Sequence, residues 1–251
     1  MVNTRSSSRA DREREFFSDW TLNPSGEALR WKRELRRVLR AAGEGGLGDV
    51  LSVGCGRGQF ELMLARHANR VTGIDLSPES IEDARRLAEQ EGVENARFEC
   101  ADATVFDLGE TFDTVVCIGF LHHLSEEEGL ELLQRIYRHM RSGGVLHTQD
   151  PNVHGLLRSV GRLVLGARYD RYHTPDEREL DPEVVRSLIL EAGFAQARIQ
   201  YVDLTLIPGT QLLPAAPGWV MKGLDWIDRA WCSTPRPLAR FASGFAVDAT
   251  R

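Results

Sequence analysis

The stretch Asp49-Val50-Leu51-Ser52-Val53-Gly54-Cys55-Gly56-Arg57-Gly58-Gln59 decides the fold. Its first five residues are a short apolar run of strand length, and glycines follow at once. Glycine permits a tight turn and a close approach of backbone to a ligand. A helix is expected next, over about 58–68, and RVTGID (70–75) reads as a second strand. Ser77-Pro78 opens another helix, with Ser as N-cap and Pro at the first helical position. That helix runs to about Glu91, and Gly92 ends it. ARFEC (96–100) is the third strand. FDTVVCIG (112–119) is the fourth, a near-continuous apolar run of the kind buried on both faces. Ser125 and Glu128 form a capping box for a helix through about Arg141, which Gly143-Gly144 should end before a fifth strand, VLHTQ (145–149). Strands alternating with helices imply right-handed βαβ crossovers and a parallel sheet.

Upstream, Ala28, Trp31, Leu35, Val38, Leu39 and Ala42 recur at helical spacing, which predicts a helix over about 26–42 with Gly43 as its stop. Residues 1–15 are polar and read as a disordered leader, leaving 16–251 as one domain. After the fifth strand the rhythm breaks. A first insertion, about 152–180, holds the amphipathic segment VHGLLRSVGRLVLG and then a polar stretch. Asp181-Pro182 caps a helix through Ala192, and 197–206 reads as a strand. A second insertion, about 207–238, contains a Trp-rich helix near 217–232, and 241–247 is the last strand candidate. Both insertions are apolar and aromatic enough to cap a pocket.

The 251 residues are 42% hydrophobic and 27% charged, which excludes a disordered chain, a coiled coil and a fibre. No stretch reaches the roughly 18–20 uninterrupted apolar residues of a spanning helix, so no integral membrane association is expected. A net charge of -6 argues against a nucleic-acid partner. Cys55, Cys100, Cys117 and Cys232 lie far apart with no CxxC, which suits a reducing compartment and buried thiols rather than disulfides or a metal site. With no secretory signal read at the start, the expected location is cytoplasmic.

Asp75 ends the second strand 21 positions after Gly54, where nucleotide-binding sheets place an acid against ribose hydroxyls. Asp102 follows the third strand. Loop and acids thus stand at the carboxyl ends of strands, where open α/β sheets bind ligands. The spacing is GxGxG rather than GxGxxG, which disfavours a dinucleotide and its pyrophosphate cradle.

VLSVGCGRGQF, GIDLSP, CADATVF and FDTVVCIGFLHHL, in that order and with the glycine pair before the fifth strand, resemble the motifs of class I S-adenosylmethionine-dependent methyltransferases. The likeness is to the small-molecule group that includes ubiquinone and menaquinone biosynthesis enzymes, and it covers about 45–200. It implies a Rossmann-like α/β fold: a seven-stranded, mostly parallel sheet with the last strand antiparallel, and helices on both faces. It implies S-adenosyl-L-methionine as cofactor. Val53, Gly54, Cys55, Gly56 and Gly58 would hold the methionine portion on backbone, Asp75 the ribose hydroxyls, and Leu76 the adenine face. Asp102 and the Ala103 amide would meet the adenine edge, and Cys117 and Ile118 would line the floor near the sulfur. Phe16, Phe17 and Trp20 resemble an N-terminal lid of such enzymes, or simply staple onto the core.

Methyl transfer to a hydroxyl needs orientation and a proton acceptor, and histidine is the usual base near neutral pH. His122 and His123, just past the fourth strand, and Asp150, after the fifth, are the candidates. Packing or helix-capping roles are the competing reading for all three. Tyr169, Tyr172 and His173, with Arg158, Arg162 and Arg168, stand in the first insertion as candidate acceptor contacts. The expected reaction is methylation of a small organic acceptor, most simply at oxygen. Nitrogen or carbon acceptors, a non-catalytic cofactor-binding subunit and a homodimer using the tryptophans stay open.

Overall fold

The computed structural model describes residues 22–165 and 178–251. The leader 1–15, the aromatics Phe16, Phe17 and Trp20, and Arg168, Tyr169, Tyr172 and His173 lie outside the described residues. Seven strands, β1 (Asp49–Val53), β2 (Arg70–Asp75), β3 (Ala96–Cys100), β4 (Phe112–Ile118), β5 (Met140–Pro151), β6 (Gln196–Val202) and β7 (Gly244–Thr250), form one sheet in the order 3-2-1-4-5-7-6. β7 runs antiparallel to β5 and β6, and the other pairings are parallel. The order reverses between β1 and β4, so the crevice at their carboxyl ends is the expected ligand position.

Among the described residues the helices are α1 (Pro24–Ala42), α2 (Gln59–Ala65), α3 (Pro78–Glu91), α4 (Glu126–Arg138), α5 (Leu156–Leu165), α6 (Pro182–Glu191), α7 (Leu206–Leu212), α8 (Gly218–Cys232) and α9 (Arg236–Ala239). Their starts are written in the sequence. Asn23, Ser77, Ser125 and Asp181 each accept a first-turn amide, and the Ser125/Glu128 capping box forms. One face of the sheet buries Leu51, Val115 and Leu146 against Leu132, Ile136 and Ile189 of α4 and α6. The other buries Val50, Val71 and Val116 against Val38 of α1 and Phe60 and Leu64 of α2.

Three boundaries differ from the sequence reading. α4 stops at Arg138, and the pair Gly143-Gly144 lies inside β5 instead of ending the helix. There the β4–β5 register shifts, from Phe112 opposite Met140 to Thr114 opposite Val145, so the glycines sit in an irregular strand start. β6 ends at Val202 because Asp203 turns to φ 53, which breaks the strand. The last strand begins at Gly244, after the short α9, so FASGFAV straddles its start.

α1 also buries charge. Arg33, Glu34 and Arg37 are buried beside Val38 on the sheet-facing side. Burying an ion costs several kcal/mol unless it is paired, and here each one is. The guanidinium of Arg33 lies 3.3 Å from Asp203, 3.5 Å from Asp225 and 3.1 Å from Asp228. Glu34 pairs with Arg37 and meets His147 Nε2 of β5 at 2.6 Å, and His147 Nδ1 meets Asp248 of β7 at 2.6 Å. Burial pushes the His147 imidazole down, but hydrogen bonds to Asp248 and Glu34 outweigh it and raise its pKa to about 9. Burial likewise raises Glu34, and the His147 hydrogen bond with the Arg37 charge reverses that to about 2. His147 therefore contributes stability in full below its ordinary pKa of about 6.5 and loses it as pH rises through about 9. Thermal unfolding followed from pH 6.5 to 9.5 should show a falling midpoint in the wild type and a flatter profile in His147→Gln. Parallel profiles would contradict the charged assignment.

Candidate active site

Past Val53 the chain turns through Gly54, Cys55, Gly56 and Gly58, and α2 starts at Gln59. The Gly54 and Cys55 amides both donate to the Ile74 carbonyl, at 2.9 and 3.0 Å, so the turn is fastened to the end of β2. Asp75 completes the fastening: Oδ2 accepts from the Gly56 N–H at 2.9 Å and Oδ1 from the Ser77 N–H at 2.9 Å. Each oxygen keeps a further lone-pair position for a ligand hydroxyl.

These residues form one side of a cleft of about 280 Å³. Gly54, Gly56, Asp75, Leu76, Ala101, Asp102, Ala103, Gly119, Phe120 and His123 are among its lining residues. Gly54 has no room for a side chain, since a Cβ there would stand 2.4 Å from the Phe120 ring. Gly56 is the reverse: at φ +52 a Cβ would meet nothing within 4 Å, so bare main chain faces open space. Leu76 is 52% exposed, an unburied aliphatic group on the cleft wall. Asp102 is exposed, and its Oδ1 accepts from the Thr104 amide and hydroxyl at 2.8 and 2.7 Å. A flat apolar surface, two acids and a bare glycine main chain match the needs of a nucleoside carrying an amino-acid tail.

The other expected cofactor residues do not present side chains to this cleft. Val53 and Cys117 are fully buried in the core cluster between the sheet and α4/α6. Cys55 is buried against α3 and β3, and Ile118 packs with Val116 and Phe60 on the α1/α2 face. Past β4, Gly119 and Phe120 line the cleft instead. β4 is buried on both faces, so Cys117 faces the core, and the chain leaves the strand only after Ile118.

The histidine pair lies on a 3-10 turn, Leu121–His123. His123 lines the cleft, and His122 is buried behind it with the two ring centroids 4.0 Å apart. Asp150 does not cap α5. Its Oδ1 accepts from the His122 amide at 3.1 Å and sits 3.0 Å from His122 Nδ1. Burial holds the Asp150 carboxyl well above the usual range, partly offset by the amides of His122, Phe120 and Leu121. Its Oδ2 has no hydrogen-bond partner among the described residues. The three residues are thus brought together.

The insertions sit differently. α7 and α8 pack on α1, where Asn23 Nδ2 donates to the carbonyls of Leu213, Pro214 and Ala216. Trp219 and Trp226 of α8 are 75% and 66% exposed. Arg158 of α5 donates to the Ser243 carbonyl at 3.0 Å. Among the described residues no three His, Cys, Asp or Glu side chains cluster to hold a metal ion, and no helix is long and apolar enough to cross a membrane.

Known proteins resemble this chain in sequence and in fold. A methyltransferase-domain profile matches residues 50–144. Nodulation protein S of Rhizobium tropici is 28% identical over 134 residues, 53% of this chain and 56% of that protein. A ubiquinone biosynthesis O-methyltransferase of Actinobacillus pleuropneumoniae is 30% identical over 128 residues, 48% of this chain and 52% of that protein. The matched part therefore spans little more than half the length of these relatives. Among solved structures, the N-methyltransferase NodS of Bradyrhizobium japonicum in complex with S-adenosyl-L-homocysteine superposes with a TM-score of 0.60 at 18% identity, over 96% of this chain and 97% of that one. Magnesium protoporphyrin IX methyltransferase from Synechocystis, also with S-adenosylhomocysteine, gives 0.60 at 20% identity, over 96% and 94%. Residues 50–144 thus match a methyltransferase domain, and the strand order is one the chain shares in fold with these solved structures.

Proposed function

We propose that this chain transfers the methyl group of S-adenosylmethionine to a hydroxyl oxygen of a small organic acceptor. The carrying observation is the cleft with Asp75, Gly56 and Asp102 on one side and His123 on the other, backed by the His122–Asp150 pair. S-adenosylmethionine supplies an activated methyl group on a sulfonium, so the protein's part is binding, orientation and proton handling. Asp75 would bind the ribose hydroxyls, Leu76 the adenine face, Asp102 and the Ala103 amide the adenine edge, and the Gly54–Gly58 turn the methionine tail.

A neutral hydroxyl must lose its proton as it is methylated, and the His123 imidazole in the cleft lining supports a base there. In this reading His123 meets the acceptor. His122, fixed through both its amide and its ring by Asp150, holds that wall in register. Alignment of nucleophile and methyl can supply several kcal/mol, up to ~7–11 in favourable cases. The insertions over about 152–180 and 207–238 would frame the acceptor side as a cap. The same reading keeps the expectations of a leader at 1–15, a cytoplasmic location, a homodimer and no nucleic-acid partner.

Three outcomes follow. Asp75→Ala should weaken S-adenosylhomocysteine binding by roughly 10- to 150-fold, the ~1.5–3 kcal/mol of a hydrogen bond to a charged group, as read by calorimetry. Unchanged affinity would remove Asp75 from the site. Methyl-labelled cofactor incubated with pools of phenolic and hydroxylated metabolites should yield a labelled ether. His123→Ala should cut kcat by roughly 10²- to 10⁴-fold with cofactor affinity nearly intact. Labelled amines or carbon-methylated products would move the acceptor atom, and no labelled product from any pool would favour a cofactor-binding subunit without chemistry.

A further inference from the structure

Glu61 lies one turn into α2, beneath the glycine turn, with its side chain in the interior. It is 4% exposed, and its Oε1 accepts from Ser52 Oγ of β1 at 2.7 Å. A buried carboxylate ordinarily has a cation against it. None of the ion pairs among the described residues involves Glu61. From β1 it faces the Ser52 hydroxyl, from the turn the Cys55 thiol, and from the end of β2 the charge of Asp75. α1 and α3 pack on α2 through apolar groups, Val38 and Trp31 on one side and Ile81 and Ala84 on the other. The same Asp75 holds the Gly56 amide, so Glu61 and the cleft lie on opposite sides of one thin turn.

We infer that Glu61 is a positioning residue whose missing counter-charge is the cationic cofactor itself: it ionises as S-adenosylmethionine binds and favours the sulfonium over the neutral thioether product. This rests on the methyltransferase reading and assigns a residue outside the cleft lining. Burial pushes the Glu61 carboxyl up, the Ser52 hydroxyl and its own amide pull it part of the way back, and Asp75 raises it again, to about 7. The unliganded protein therefore holds a proton there for much of the neutral range, and the bound cation expels it to solvent. In the low dielectric under the turn a unit charge is felt further than in water. The amino-acid tail is common to both forms of the cofactor, and the sulfonium charge is what separates them. Glu61 is the group assigned the pH dependence.

The test is calorimetric titration of the full chain with S-adenosylmethionine and with S-adenosylhomocysteine, at pH 6.0 and 7.5, in two buffers of different ionisation enthalpy. S-adenosylmethionine should bind several-fold more tightly at pH 7.5, up to about eightfold for full linkage, with a released proton seen as a buffer-dependent heat. S-adenosylhomocysteine should show a smaller change. Glu61→Gln keeps an acceptor for Ser52 and should flatten both the pH dependence and the difference between the two ligands. His123 lines the same cleft and persists in Glu61→Gln, so the loss on substitution isolates Glu61. Equal pH dependence for both ligands, or an undiminished effect in Glu61→Gln, would overturn the inference while leaving the methyltransferase reading in place. Failure of both ligands to bind at either pH would overturn that reading itself.

Discussion

The carboxylate of Asp75 is the knot of this molecule. One oxygen holds the Gly56 amide and the other the Ser77 amide, so a single side chain joins the turn after β1 to the start of α3. The Ile74 carbonyl, one residue earlier, takes the Gly54 and Cys55 amides. Without these four bonds a glycine-rich turn has many conformations of similar energy, because glycine loses more backbone freedom on ordering than any other residue. With them the turn is rigid, and Gly56 presents bare backbone to the cleft. In the proposed function the same oxygens also meet the ribose hydroxyls of the ligand.

The sheet brings the second half of the site to that knot. β4 lies beside β1, and the Gly119 amide donates to the Gln149 carbonyl of β5 at 2.7 Å, so the segment past β4 is tied to the end of β5. Asp150 then reaches back to the His122 amide and ring. Charge in this chain is buried where it positions something. Arg33, Glu34 and His147 link α1 to β5, α8 and the β6–α7 turn, and so place the second insertion beside α1. Glu61 has no such ion pair among the described residues, and that is what points at a ligand.

The parallel half of the fold was legible residue by residue. β1, β2, β3 and the helix 78–91 fall where apolar runs, N-caps and a closing glycine put them, because those signals are local. Asp75 and Asp102 were legible for the same reason, as acids at strand ends. What escaped was non-local. Nothing in RWKRELRR announces that Arg33, Glu34 and Arg37 face inward, since Asp228, which pairs with Arg33, and His147, which pairs with Glu34, are 195 and 113 residues away in sequence. Glu61 is a first-turn acid of α2 in sequence, and only the fold brings Ser52 beside it. β5 could not be bounded from the glycine pair, which stops helices elsewhere but here eases a register shift. The side chains of Cys117 and Ile118 followed strand alternation into the core, a matter of one residue in where the strand lets go.

The central claim is that an adenosine with an amino-acid tail lies across the tips of β1, β2 and β3. A crystal structure of the protein grown with S-adenosylhomocysteine examines it most directly. The account requires both ribose hydroxyls within hydrogen-bond distance of the Asp75 carboxylate and the tail against the main chain of Gly56. A ligand seated elsewhere, with Asp75 holding only Gly56 and Ser77, would contradict it.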